Sequence, residues 1–115
     1  MKIVRGHIYL AHLNPPHGTE PGKTRPVIVL QTDFLNPYHS SSIVCPFTSR
    51  TIVAEAIPLR VPVKAGEAGL SKDSDIMIDQ IRAIDNRRIK KEIGRLSPSR
   101  IREIEEKIKA ILDLD

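Results

Sequence analysis

Two polar side chains stand where apolar runs of this chain begin or end. Arg25 separates a Pro/Gly-rich segment, residues 14–23, from the run Pro26-Val27-Ile28-Val29-Leu30, and Thr48 ends the run Ile43-Val44-Cys45-Pro46-Phe47. A guanidinium stays charged at any working pH, and its planar fork matches a phosphate. A threonine hydroxyl can donate to the same group. If both runs are strands of a small barrel, Arg25 and Thr48 lie on its rim, where polar side chains converge on a ligand. In the segment before Arg25, Glu20 and His17 titrate in a range suited to proton transfer, which arginine does not. At such a rim Arg25 and Thr48 together could hold a phosphate group; a surface arginine and a strand-capping threonine are the plainer reading of the spacing alone.

Other chemistries lack their residues. Cys45 is the one cysteine, so no internal disulfide forms, and its apolar setting is that of a small buried hydrophobe. There is no Gly-rich phosphate loop and no serine elbow. His7 and His12 fall on opposite faces of a strand and cannot share a metal, so neither metal nor cofactor is expected. No run approaches the ~20 apolar residues of a membrane span, and Met1-Lys2-Ile3-Val4-Arg5-Gly6 lacks the apolar stretch of a signal peptide. The expected location is cytoplasmic. The net charge of +4 is uneven: residues 1–50 hold five basic and two acidic side chains, residues 51–115 thirteen and twelve. Such an excess permits a polyanionic partner without demanding one.

The elements that must position these groups read as mainly β in one domain, residues 1–115. Nine prolines and six glycines punctuate short apolar runs, the pattern of a small all-β barrel. Strands are expected over Gly6–Leu13, Pro26–Leu30, Ser42–Phe47, Ile52–Val63 and Asp75–Ile84. Pro58 and Pro62 confine the fourth to an edge or bulge. Asp33–Asn36 suits a single helical turn, and Gly66–Asp73 a loop. The basic cluster Arg87-Arg88-Ile89-Lys90-Lys91 leads into a short strand or turn through Leu96. A helix follows, with Ser97 as N-cap, Pro98 at its first position, and Ile101, Ile104, Ile108 and Ile111 on one stripe.

Three blocks, in order and at fitting spacing over nearly the whole chain, resemble the MazF/PemK toxins. Arg5-Gly6-His7-Ile8-Tyr9, Gly18-Thr19-Glu20 and Arg25-Pro26-Val27-Ile28-Val29 match the family's opening signature. Val44-Cys45-Pro46-Phe47-Thr48-Ser49 resembles its second block, and Asp79-Gln80-Ile81-Arg82 its third. The resemblance implies an SH3-like β-barrel with a C-terminal α-helix, the CcdB/MazF-type toxin barrel, acting as a homodimer. It implies a sequence-selective endoribonuclease on single-stranded RNA, restrained by a cognate antitoxin. By the same likeness Arg25 and Thr48 occupy the catalytic positions, and Glu20 matches an acidic one. His17, Thr19, Lys23, Ser49, Gln80 and Arg82 would contact RNA. His7 and His12 replace the family's usual aspartates and Lys23 a small residue, which bears on sequence preference more than on fold. Two alternatives differ in class: a CcdB-like gyrase inhibitor on the same scaffold, and an inactive RNA-binding barrel.

Overall fold

The computed structural model describes residues 1–13, 23–52 and 59–115. Strand β1, His7–His12, alternates as expected: Ile8 enters one apolar cluster, and Tyr9 and Ala11 enter another on the opposite face. Strand β2, Thr24–Val29, behaves alike, with Ile28 on the first face and Val27 and Val29 on the second, all fully buried. A strand buried on both faces has no polar positions, which is why its sequence reads as an unbroken apolar run. Strand β3, Ser41–Thr48, continues the pattern with Val44 on one side and Cys45 and Phe47 on the other. Burial pushes the Cys45 thiol up to about 12, so it is an inert part of the core.

Strand β4, Arg60–Val63, is the described remainder of the expected strand over Ile52–Val63; residues 53–58, Pro58 among them, lie outside the described residues. Among the described residues it lies at one end of the hydrogen-bonded sheet, so Pro62 sits on an edge strand, where a missing N–H is tolerated. The expected strand over Asp75–Ile84 is in fact two. Strand β5, Ser74–Met77, and strand β6, Arg82–Asp85, flank a 3₁₀ turn at Ile78–Gln80. Both pair antiparallel with β3, β5 at its end (Phe47 opposite Ile76) and β6 at its start (Val44 opposite Arg82). Between those pairs, the five residues Met77–Ile81 oppose only Cys45 and Pro46. Pro46 has no N–H to give a ladder, and the break falls opposite it.

After a 3₁₀ turn at Asn86–Arg88, strand β7, Ile89–Arg95, starts inside the basic cluster and pairs with β1. Helix α1, Pro98–Leu112, starts as expected: the Ser97 hydroxyl accepts from the Arg100 N–H. Ile104 is fully buried, and Ile101, Ile108 and Ile111 pack beside it over the first cluster. Each such side chain contributes roughly 1.5–3 kcal/mol when fully removed from water.

Among the described residues the sheet is an open seven-stranded one, in the order β4-β5-β3-β2-β1-β7 with β6 on β3, and its two ends are brought together by a loop rather than a ladder. A 3₁₀ turn at Glu67–Gly69, after β4, packs against β7. A Cβ on Gly69 would run into the Ile93 carbonyl oxygen, and one on Gly94 into that of Ala68. Glycine at both positions lets the two backbones touch.

Candidate active site

The register of β2 against β3 sets Val27 opposite Pro46, Ile28 opposite Cys45 and Val29 opposite Val44. Carried on by two residues, it places Arg25 opposite Thr48. Beyond them, Thr48 faces Asp75 on β5. Opposed residues of antiparallel strands project to the same side, so Arg25, Thr48 and Asp75 form one row across three strands.

The Arg25 Nη1 donates to the Phe47 carbonyl oxygen at 3.4 Å, which holds the guanidinium beside the strand end that carries Thr48. The Thr48 Oγ1 accepts from the Arg50 N–H at 3.2 Å, so the hydroxyl proton remains to be donated. Asp75, 1% exposed, accepts from the Ile52 N–H at 3.1 Å and from Arg60 Nη1 at 3.3 Å. It thereby ties the segment after Thr48, and edge strand β4, to β5. Without such a tie, a chain end leaving a sheet edge would be free to swing.

Arg25 and Thr48 open on a cavity of about 1000 Å³ at the rim of the sheet. Lys23, Ser49 and Arg50 share its near wall. Leu70 and Lys72, from the loop before β5, with Lys91 and Ile93 of β7, form its far wall. Among the described lining residues there are five cations and no carboxylate. Lys23 enters with a left-handed backbone, φ 67°, as the chain turns into β2.

The family defined as PemK-like, MazF-like toxins of type II toxin–antitoxin systems matches residues 4–112. The chain belongs to this family. Crystalline MazF from Deinococcus radiodurans superposes with a TM-score of 0.85 at 25% identity, over 99% of each chain. Mycobacterium tuberculosis toxin MazF-mt6 gives 0.79 at 27% identity, over 95% of this chain and 98% of that one. A Deinococcus radiodurans MazE–MazF complex gives 0.72 at 25% identity, over 99% of each chain. The mainly β architecture with its C-terminal helix is thus the MazF-like toxin fold.

Within this family member, the residues expected at the site separate into three groups. Arg25, Thr48, Lys23 and Ser49 line one cavity. His17, Thr19 and Glu20 lie outside the described residues. Gln80 and Arg82 do not line that cavity: Gln80 closes the 3₁₀ turn after β5, and Arg82 opens β6 opposite Val44. Thr48 lies four residues further along β3, roughly 13 Å at ~3.3 Å per residue. Arg82 thus stands towards the other end of β3 from Thr48 in the single described chain. The reason is the corner forced opposite Pro46, which carries β6 to the far end of β3. The far wall, Leu70 to Lys72 with Lys91, was missed by sequence reasoning. Its one signal was the glycine pair, Gly69 and Gly94, that lets loop and strand touch.

Proposed function

We propose that this toxin-family chain is a metal-independent endoribonuclease that cuts single-stranded RNA at a short sequence. One observation carries the reading: Arg25 and Thr48 converge from adjacent strand ends on a cationic cavity without a carboxylate among its described lining residues. RNA brings its own nucleophile, the 2′-hydroxyl, so no metal-bound hydroxide is required. Attack on the adjacent phosphorus forms the 2′-O–P bond, adds negative charge to the phosphorane oxygens and then breaks the P–O5′ bond. Arg25 and the Thr48 proton oppose the added charge, the kind of interaction that acts most strongly in the transition state. Glu20 is the preferred acid–base group, with His17 second, since arginine is too weak an acid to shuttle protons. The products are a 2′,3′-cyclic phosphate and a 5′-hydroxyl.

The same reading includes a homodimer in the cytoplasm and a cognate antitoxin, the last of these supported by the likeness to the MazE–MazF complex of Deinococcus radiodurans. A disordered acidic partner segment would suit the cationic cavity. The test is direct. Purified protein incubated with a long single-stranded RNA in EDTA yields fragments whose new 5′ ends are hydroxyls. Intact RNA under those conditions overturns the nuclease reading and favours a CcdB-like inhibitor or a passive RNA binder.

A further inference from the structure

The far wall of the cavity takes no part in the chemistry above, yet it is built with some care. Its loop is held from two sides. The Gly69–Gly94 backbone contact seats it on β7, and Arg100 of α1 bonds Glu67 through Nε at 3.0 Å. On this held wall stand Lys72 and Lys91, both exposed and neither engaged in an ion pair among the described residues. Two lysines over one concavity, without an ion pair among the described residues, gain no pairing energy for folding. On the same wall, Leu70 and Ile93 present aliphatic carbon to the cavity. Ammonium groups and aliphatic carbon on one wall match a nucleotide strand, with phosphate outside and a base face within.

Resting on the nuclease reading, we infer that this wall is a second RNA subsite. Lys72 and Lys91 hold phosphates flanking the scissile one, and Leu70 and Ile93 receive the base between them. RNA is favoured over an acidic peptide because the wall is continuous with Arg25 and Thr48, where the strand must already lie. The subsite binds substrate without touching the reacting atoms, so its loss raises KM and leaves kcat unchanged.

The experiment uses full-length protein, an RNA bearing a mapped cut site, and the same strand with a 2′-deoxy residue there, which binds but cannot be cut. Binding of the deoxy strand by wild type and by Lys72→Ala/Lys91→Ala is followed by fluorescence anisotropy across salt. Each phosphate contact on a single strand adds about 0.7 to the slope of log affinity against log salt, so the double variant's slope is shallower by about 1.4. Between about 50 mM and about 200 mM salt, its deficit against wild type then narrows roughly sevenfold. An exposed control pair on helix α1, Arg102→Ala/Lys109→Ala, keeps the wild-type slope. An unaltered slope for Lys72→Ala/Lys91→Ala, or a loss shared equally by the control, overturns the subsite while cleavage by wild type leaves the nuclease reading standing. Wild type that neither cuts nor binds the RNA overturns both.

Discussion

Arg25 is bound to the strand end that carries Thr48 by a hydrogen bond from its side chain to the Phe47 carbonyl, and a planar guanidinium fork is the donor geometry a phosphorane would use. Arg25→Ala should lower kcat by about 10²–10³, the usual cost of removing one preorganised donor from a developing oxyanion. Its melting temperature should stay near the wild-type value, because Arg25 stands at the rim of the sheet and not in either apolar cluster. Arg25→Lys should rescue little, since an ammonium cannot reproduce the bidentate fork. Single-turnover cleavage alongside thermal melts reads both. Normal cleavage by a folded Arg25→Ala variant would remove Arg25 from the chemistry. Asp75 is expected to act differently. It contacts the Ile52 N–H and Arg60, not the reacting atoms, and Asp75→Ala leaves an arginine and a backbone N–H without their buried acceptor. A cost of several kcal/mol is typical of such a broken pair, so a chemical denaturation curve should fall before any change in kcat is legible.

At the scale of elements, the 3₁₀ turn at Glu67–Gly69, which leads into the far wall of the cavity, is tied to α1 by an ion pair whose strength depends on pH. The Arg100 guanidinium bonded to Glu67 holds that carboxyl below its ordinary value of 4.5. A carboxyl with a lowered folded value stabilises the protein above its unfolded value and loses that contribution as pH falls through the folded one. The difference in melting temperature between wild type and Glu67→Gln should therefore be present at neutral pH and vanish in acid well below the ordinary carboxylate range. No difference at neutral pH would show that the loop is held by its glycine contact alone, and one that persisted in strong acid would show that Glu67 acts through something other than its charge. In α1 itself, Ile104→Ala should cost about 2–5 kcal/mol, as deletion of a fully buried aliphatic side chain does. Equilibrium unfolding in urea measures it.

The elements also show how far local sequence could reach. Strands β1, β2 and β3 and helix α1 were legible because each carries its own signal: alternation, a run buried on both faces, or a capped isoleucine stripe. The pair Arg25 and Thr48 could be placed at strand ends for the same reason. The break between β5 and β6 was not legible. Ile76, Ile78 and Ile84 are all buried, so the pattern reads as one strand, and what bends it is the register of β3 around Pro46. Lys72 and Lys91 were equally hidden, since they meet only through a backbone contact between two glycines far apart in the chain.

The whole molecule leaves one feature that a lone copy does not explain. Its aromatic side chains number two Tyr and two Phe. Tyr9 and Phe47 are buried, whereas Phe34 is 82% and Tyr38 88% exposed. Both project from the turn between β2 and β3, where Asn36 is buried and bonded to Gln31 and to Asp33. The aromatics are thus presented on a held turn, together with the exposed Leu35. A twofold interface would bury each of them twice over, at roughly 1.5–3 kcal/mol for every large side chain fully covered. If the proposed homodimer uses this face, wild type should sediment as a dimer at micromolar concentration, and Phe34→Ala/Tyr38→Ala should shift it towards monomer by at least about tenfold in dissociation constant, since about 1.4 kcal/mol corresponds to that factor. Both substituted side chains are solvent-exposed in the single chain, so the variant's fold should survive, as circular dichroism would report. A wild type that sediments as a monomer over the accessible range would overturn the homodimer. An undiminished dimer in the double variant would move the interface to another face.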